Sequence, residues 1–321
     1  LRGSDLALAQ VTARWKNSLA LFEAFADEID EKSWFTMELG LLVRSMVVFA
    51  TGQSRFKTIQ NVSVARMQKG WDDAKKALQF AVNFLRTNAQ IEDESLLASP
   101  LLIIGVAAAG HARDFKVSKT EERDLLKWAL VANARGHYSR GSSETILDQD
   151  LQILLRGGGI SDLFNLLLRQ FGRLHVDARD FEGKSARSPL FSTAFLALRA
   201  NGAKDWWSGL GLSLIHQGKL HYVEYHHIFP KAVLAANGYE KAQINEIANF
   251  AFISGRANRS ILAKEPKVYL PGIIKERGED ALEAQLIPTD KGLWEVKNYP
   301  RFLEWRRERL AAEVNKLLRV E

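Results

Sequence analysis

Through the first half of the chain, apolar positions recur at helical spacing. Leu6, Leu8, Val11, Trp15, Leu19, Leu21, Phe22 and Phe25 mostly fall three or four residues apart behind Asp5, a good N-cap, so the pattern predicts a helix there. A second apolar helix is expected over Trp34 to Phe49. A third is expected over Ser63 to Leu85, with Val64, Met67, Trp71, Leu78 and Leu85 on its buried face. Ser118 and Glu121 form a capping-box pattern ahead of Leu125, Leu126, Trp128, Ala129 and Leu130, and Ser161 is expected to cap Asp162 to Arg169. No strand and no repeat period is evident in this half.

The punctuation changes near Phe181. The run FEGKSARSP, rich in Gly, Ser and Pro, reads as a linker or domain edge, and Phe191 to Leu198 is again helix-like. The aromatic and β-branched segment His221 to His226 then predicts a short strand ending in the pair His226-His227. Neighbours on a strand point to opposite sides, so the pair can serve two roles. Pro230 ends regular pairing, and a loop leads to Asn249. Asn249 to Ile253 is expected as a second strand, and Arg256 to Ala263 as a turn or two of helix closed by Pro266.

Composition is that of an ordinary globular chain, 46% apolar and 26% charged over 321 residues, which argues against disorder. The longest uncharged stretch, Ser95 to Gly110, is 16 residues and is too short to span a bilayer. The absence of cysteine excludes disulfides and Cys-ligated metal sites. Without a Met or a charged-then-apolar leader, the chain reads as a fragment or processed product of a cytoplasmic protein, with no membrane partner. The net charge of +6 is uneven: from Ala186 onward there are 20 Lys and Arg against 15 Asp and Glu, and before it 24 against 23. That places nearly all the basic excess, a hint of a polyanionic partner, in the C-terminal part.

Two motifs in the helical half carry little. Arg156-Gly157-Gly158-Gly159 looks like a phosphate cradle, but no G-K-[ST] follows, so it reads as an interhelical loop. Thr51-Gly52-Gln53-Ser54-Arg55 reads as a polar, exposed loop. A lone His-His pair is equally unspecific. What raises this one is its setting: Ile-Phe-Pro follows directly, Asn249 comes 22 residues after His227, and Asn258 nine after that.

The order strand, His-His, loop with Asn, strand, helix with Asn resembles the His-Asn-His (HNH) nucleases, whose ββα-metal fold holds one divalent cation between hairpin and helix. Phosphodiester hydrolysis needs a base to activate water and a cation to stabilise charge on the phosphate and leaving oxygen. The resemblance implies His227 as general base, His226 and Asn258 as metal ligands, and Asn249 as the residue that pins the loop and orients His227. Two neutral ligands leave positions for water and phosphate. Mg²⁺ or Mn²⁺ is the expected cation, and an imidazole ligand also makes Ni²⁺ or Zn²⁺ competent. Lys231, Arg256, Arg259 and Lys264 are candidates for phosphate contacts, each with a solvated helix face as the plain alternative. Glu224 and Asn245 lie near the site in sequence, but Asn245 is expected to face solvent or cap a turn. His216 and His221 read as structural or surface residues.

The resemblance extends further. DLALAQ at the start, GHYSRGSSETILDQDLQIL from Gly136, HHIFPK, N-R-S-I with P-x-x-Y, and YPRFLEWRRERLA are similar to the GmrSD-type family of modification-dependent, type IV restriction proteins and related phage-defence effectors. In that family a ParB-like NTPase domain with a D-G-Q-Q-R motif precedes a helical region and a C-terminal HNH domain. That motif is missing here, so no nucleotide hydrolysis is assigned to this chain, and such a domain would belong to a longer protein or a partner. The expected architecture is mainly α-helical with a small α+β part: a linker or regulatory helical region over residues 1–185, then an HNH domain over 186–321 with its core at 221–269. The expected function is metal-dependent nicking or cleavage of DNA, of phage origin and possibly modified. One HNH site cuts one strand, so a homodimer or repeated nicking would make double-strand breaks. The rival readings are a catalytically silent nucleic-acid-binding or scaffold module, and a toxin-like nuclease acting on host DNA or RNA.

Overall fold

The most apolar stretch of the chain becomes a helix with almost no polar face. From Leu102 to Gly110 every residue of α5 (Leu101–His111) is buried, as expected of a helix that is apolar all round. This helix belongs to the first of two units in a computed structural model that describes residues 3–33, 35–214 and 223–320. One unit ends at Leu174 and the other begins at His175.

In the first unit, α1 (Gly3–Arg14), α2 (Ser18–Ser33), α3 (Leu39–Thr51), α4 (Val64–Thr87), α5, α6 (Lys119–Arg135), α7 (Ser143–Leu155) and α8 (Ile160–Phe171) follow one another. Helix α4 packs against both α3 and α5. Helices α3 and α4 approach tightly at Gly70, where a Cβ would lie 2.7 Å from that of Ala50, so only glycine fits. The capping box of Ser118 and Glu121 forms as expected.

Several expectations shift. The single helix from Asp5 is two, broken at Trp15 to Asn17, and Leu6, Leu19 and Leu21 are exposed. Helix α3 starts at Leu39, because Phe35 to Glu38 are extended or irregular; Trp34 lies outside the described residues. Helix α8 is capped by Gly159 and Asp162, whose carboxylate accepts the Gly159 N–H at 2.9 Å, and not by Ser161. The Gly157–Gly159 loop joins α7 to α8. In the Thr51–Arg55 loop Ser54 is fully buried, its N–H held by Asp148 at 2.6 Å.

The second unit holds α9 (Pro189–Ala200), β1 (Val223–His227), α10 (Lys231–Ala236), α11 (Lys241–Ile244), β2 (Phe250–Ser254), α12 (Gly255–Ile261), α13 (Pro266–Arg277), α14 (Asp280–Glu283) and α15 (Tyr299–Leu318). It begins at His175 and not at residue 186. The stretch expected as a linker is anchored: Phe181 is fully buried, Gly183 N–H donates to Glu246 at 3.0 Å, and Ile247 N–H donates to the Lys184 carbonyl at 2.7 Å.

The only strands among the described residues, β1 and β2, pair antiparallel, with His226 opposite Ala251 and His227 opposite Phe250. A two-stranded hairpin is marginal alone, and here side chains complete it. Every residue of β2 is buried. Its free edge is satisfied by Gln285, which accepts from Phe252 N–H at 3.2 Å and donates to Phe252 O at 2.6 Å, and by Asp205, which accepts from Ser254 N–H at 2.7 Å. Phe191 and Phe195 of α9 pack on Phe252, while Tyr299 and Phe302 of α15 pack on Phe229. Among the described residues no helix is long and apolar enough to cross a membrane.

Candidate functional site

Strand β1 divides its side chains between two faces, because successive residues alternate. Glu224 and His226 take one face; Val223, Tyr225 and His227 take the other. Ser254 ends β2 and at once caps α12, its Oγ accepting from Ala257 N–H at 3.2 Å. No loop intervenes, so α12 is delivered straight from the hairpin and Asn258 lies against the Glu224–His226 face.

Three side chains meet there. Asn258 Nδ2 donates to Glu224 Oε2 at 2.8 Å, which fixes the amide orientation and turns Oδ1 towards His226 Nδ1, also at 2.8 Å. His226 is 4% exposed, boxed edge-on by Trp206 and Tyr269. Burial lowers its pKa to about 4, against the opposing pull of the Asn258 hydrogen bond. The imidazole is therefore neutral, with one proton and one lone pair.

The opposite face presents His227, half-buried between Tyr225 and Phe250. Asn245 Nδ2 donates to the Lys241 carbonyl at 3.0 Å, leaving Oδ1 to meet His227 Nε2 at 3.2 Å. This network assigns the ring proton to Nε2 and leaves Nδ1 as the basic nitrogen. Burial first, then the nearby positive charge of Lys231, lowers the His227 pKa to about 4, while the Asn245 hydrogen bond opposes the shift.

Asn249 is fully buried and ties down the loop after the histidines. It accepts from Phe229 N–H at 2.9 Å, and donates to the carbonyls of Phe229 at 3.1 Å and Ile244 at 3.0 Å. Its own carbonyl accepts from Ile228 N–H at 2.8 Å. Asn249 thus sets the chain on both sides of the bend that follows His227.

Among the described residues, no cluster of three or more His, Asp or Glu side chains is arranged to hold a metal ion. The available donors are His226 nitrogen and Asn258 oxygen, with the Glu224 carboxylate behind the amide. They fit a small divalent cation. Ligand distances of about 2.1 Å in an octahedral shell place adjacent ligands about 3 Å apart, close to the 2.8 Å between Nδ1 and Oδ1. His226 Nε2 is buried without a hydrogen-bond partner and can carry the ring proton when Nδ1 is a ligand.

The expected site residues are thus only partly gathered. His226 and Asn258 touch, His227 is adjacent, and Asn249 holds the loop. Lys231 acts on His227 through its charge. Arg256 is exposed and lies 4.4 Å over the Trp207 ring. Arg259 lies on the same helix near Glu224, the nitrogen of one and the carboxylate oxygen of the other both facing the space above Gly255. Lys264 is exposed in the stretch between α12 and α13. Asn245 ends α11 as expected of a turn cap, but it also grips His227. The expected strand residues His221 and Tyr222, and His216, lie outside the described residues, and Asn249 sits in the turn before β2 instead of within it. Glu224 was open to discovery from strand alternation, two residues before His226. Asn245 carries no such signal, because the contact spans 18 positions through a loop.

The histidine shifts predict an acid instability in EDTA. The unfolded chain protonates these rings near pH 6.5 and the folded chain only near 4, so their contribution is full above about 6.5 and is lost as pH falls to about 4. His226 supplies roughly 3 kcal/mol of this, and half-buried His227 less. In urea titrations, the stability of wild type relative to His226→Gln is expected to fall by that amount between pH 7 and pH 4; a constant difference would refute it. Comparison of the chain with known family models and with curated proteins returns no match.

Proposed function

We propose that the protein is a metal-dependent endonuclease of the HNH type that nicks or cleaves DNA, serving against invading phage DNA as its resemblance to the GmrSD-type proteins implies. The observation that carries this reading is the meeting of His226 with Asn258, 32 residues on, at the junction of an antiparallel hairpin and a short helix, with a hydrogen-bonded, neutral His227 next in the chain on the other face of the strand.

In this reading His226 and Asn258 hold the cation, and Glu224 keeps the Asn258 oxygen turned towards it. The cation, when bound, supplies charge stabilisation at the phosphate and leaving oxygen. His227 Nδ1 takes the proton of the attacking water, while Asn245 holds Nε2–H and so fixes both tautomer and ring plane. Asn249 keeps His227 at the start of a rigid bend. Lys231, Arg256 and Arg259 contribute positive charge for the DNA backbone.

Supercoiled plasmid incubated with the protein in Mg²⁺, Mn²⁺, Ni²⁺, Zn²⁺ or EDTA tests this. Conversion to open-circle or linear DNA in a cation and none in EDTA is the expected result. Intact plasmid with every cation, from folded protein, would overturn the reading. Replacing Glu224 by leucine frees the Asn258 amide to turn, and the cation concentration for half-maximal cutting should rise about 10- to 100-fold. Glu224→Gln, which can still accept the amide hydrogen, should change it less.

A further inference from the structure

The face of β1 that carries His227 opens on a cleft of about 490 Å³ whose walls are shared with the base. Tyr225, Phe250 and Asn245 all line it, and all three touch His227. Ser185, Arg187 and Lys241 line it as well. Arg187 and Lys241 are exposed, and neither forms an ion pair among the described residues. Among the described residues, no carboxylate lines the cleft. Charge therefore favours an anion, but a bare phosphate would leave most of such a volume empty, since cavities of this size hold a small organic ligand.

The aromatic wall identifies the rest of the occupant. Tyr225 is 44% exposed although Phe191, Phe250 and His227 pack around it. An aromatic surface beside unpaired cations is the pairing that holds single-stranded nucleic acid, stacking a base and meeting its phosphate. In regular duplex the base faces are already stacked, so Tyr225 can meet one only if that base leaves the helix. Because the cleft shares its walls with His227, the nucleotide it holds would adjoin the phosphate being cut.

We propose that this cleft takes an unstacked nucleotide next to the scissile phosphate, its base on Tyr225 and its phosphate met by Arg187 and Lys241. DNA with a locally unpaired nucleotide is then the preferred substrate over regular duplex. The proposal rests on the nuclease reading for the presence of the strand at His227, and deepens it by naming the substrate's form.

Two fluorescein-labelled DNA hairpins of the same sequence, one fully paired and one with a single bulged nucleotide, separate the possibilities by anisotropy in EDTA. Wild type should bind the bulged hairpin about tenfold more tightly. Tyr225→Ser should lose that preference and keep its affinity for the paired hairpin, while Tyr225→Phe should retain it. Arg187→Ser/Lys241→Ser, altered only at exposed positions, should weaken the bulged complex more than the paired one. Equal binding of the two hairpins by wild type, or a preference that survives both Tyr225→Ser and the double substitution, would overturn the proposal. Cation-dependent cutting without the preference sinks the cleft alone. The preference without any cutting supports the cleft and sinks the nuclease reading instead.

Discussion

His227→Ala should reduce plasmid cutting by about 10²- to 10⁴-fold while leaving the fold and the affinity for DNA in EDTA within about twofold of wild type. A positioned general base contributes about 10² to 10⁴ to a proton-transfer step, and no other imidazole among the described residues lies on that face of β1. The substitution has little reason to unfold the hairpin. His227 is only half-buried, its partner Asn245 keeps the Lys241 carbonyl, and the pairing of β1 with β2 runs through the backbone. Rate and affinity must therefore separate. A matched loss of DNA affinity would make His227 a binding residue, and unchanged cutting would remove it from the chemistry.

Arg306→Leu should destabilise the second unit by about 4 kcal/mol or more. Arg306 is fully buried on α15 and, among the described residues, has no carboxylate partner. Its guanidinium donates to the carbonyls of Leu286 at 2.8 Å, Ala248 at 2.7 Å and Gln285 at 2.8 Å. Burial pulls its pKa down to about 9, yet it remains charged at neutral pH. Hydrogen bonds from a charged donor are each worth about 1.5 to 3 kcal/mol, and leucine would leave three buried carbonyls unmatched. Because Ala248 leads into β2 and Gln285 borders it, the loss should be visible in the hydrogen exchange of Phe250 to Ser254, with protection falling about 10³-fold. Unaltered protection would show that α15 contributes packing alone.

The residues that meet at the site were more legible in the sequence than what supports them. His226 and His227 stand side by side in the chain, and strand alternation sends them to opposite faces. Asn258 was indicated by the resemblance to the HNH nucleases, and the strand that runs straight into a capped helix is what brings it back to His226. The helices of the first unit were legible wherever apolar spacing was strong, as in α4, and misjudged where a cap decides the boundary, as at Gly159. The hidden part is the long-range polar accounting. Gln285 on the edge of β2, Asp205 on Ser254 and Arg306 on Ala248 are ordinary polar residues in sequence. Only folding reveals which orphaned backbone groups they meet. Asn245 belongs with them, since its role depends on where a loop brings it.

The edge of β2 sets an order of events during synthesis. The hairpin and α12 are complete in sequence by Ile261, but the amide that pairs Phe252 arrives with Gln285, and the cation that ties Ala248 arrives with Arg306. A ribosome adds about 5 to 20 residues each second, so these groups emerge seconds after the histidines. Until then the two strands are a marginal ribbon. The His226–Asn258 contact thus gains its support late, and a chain interrupted before α15 carries the motif without the groups that brace its hairpin.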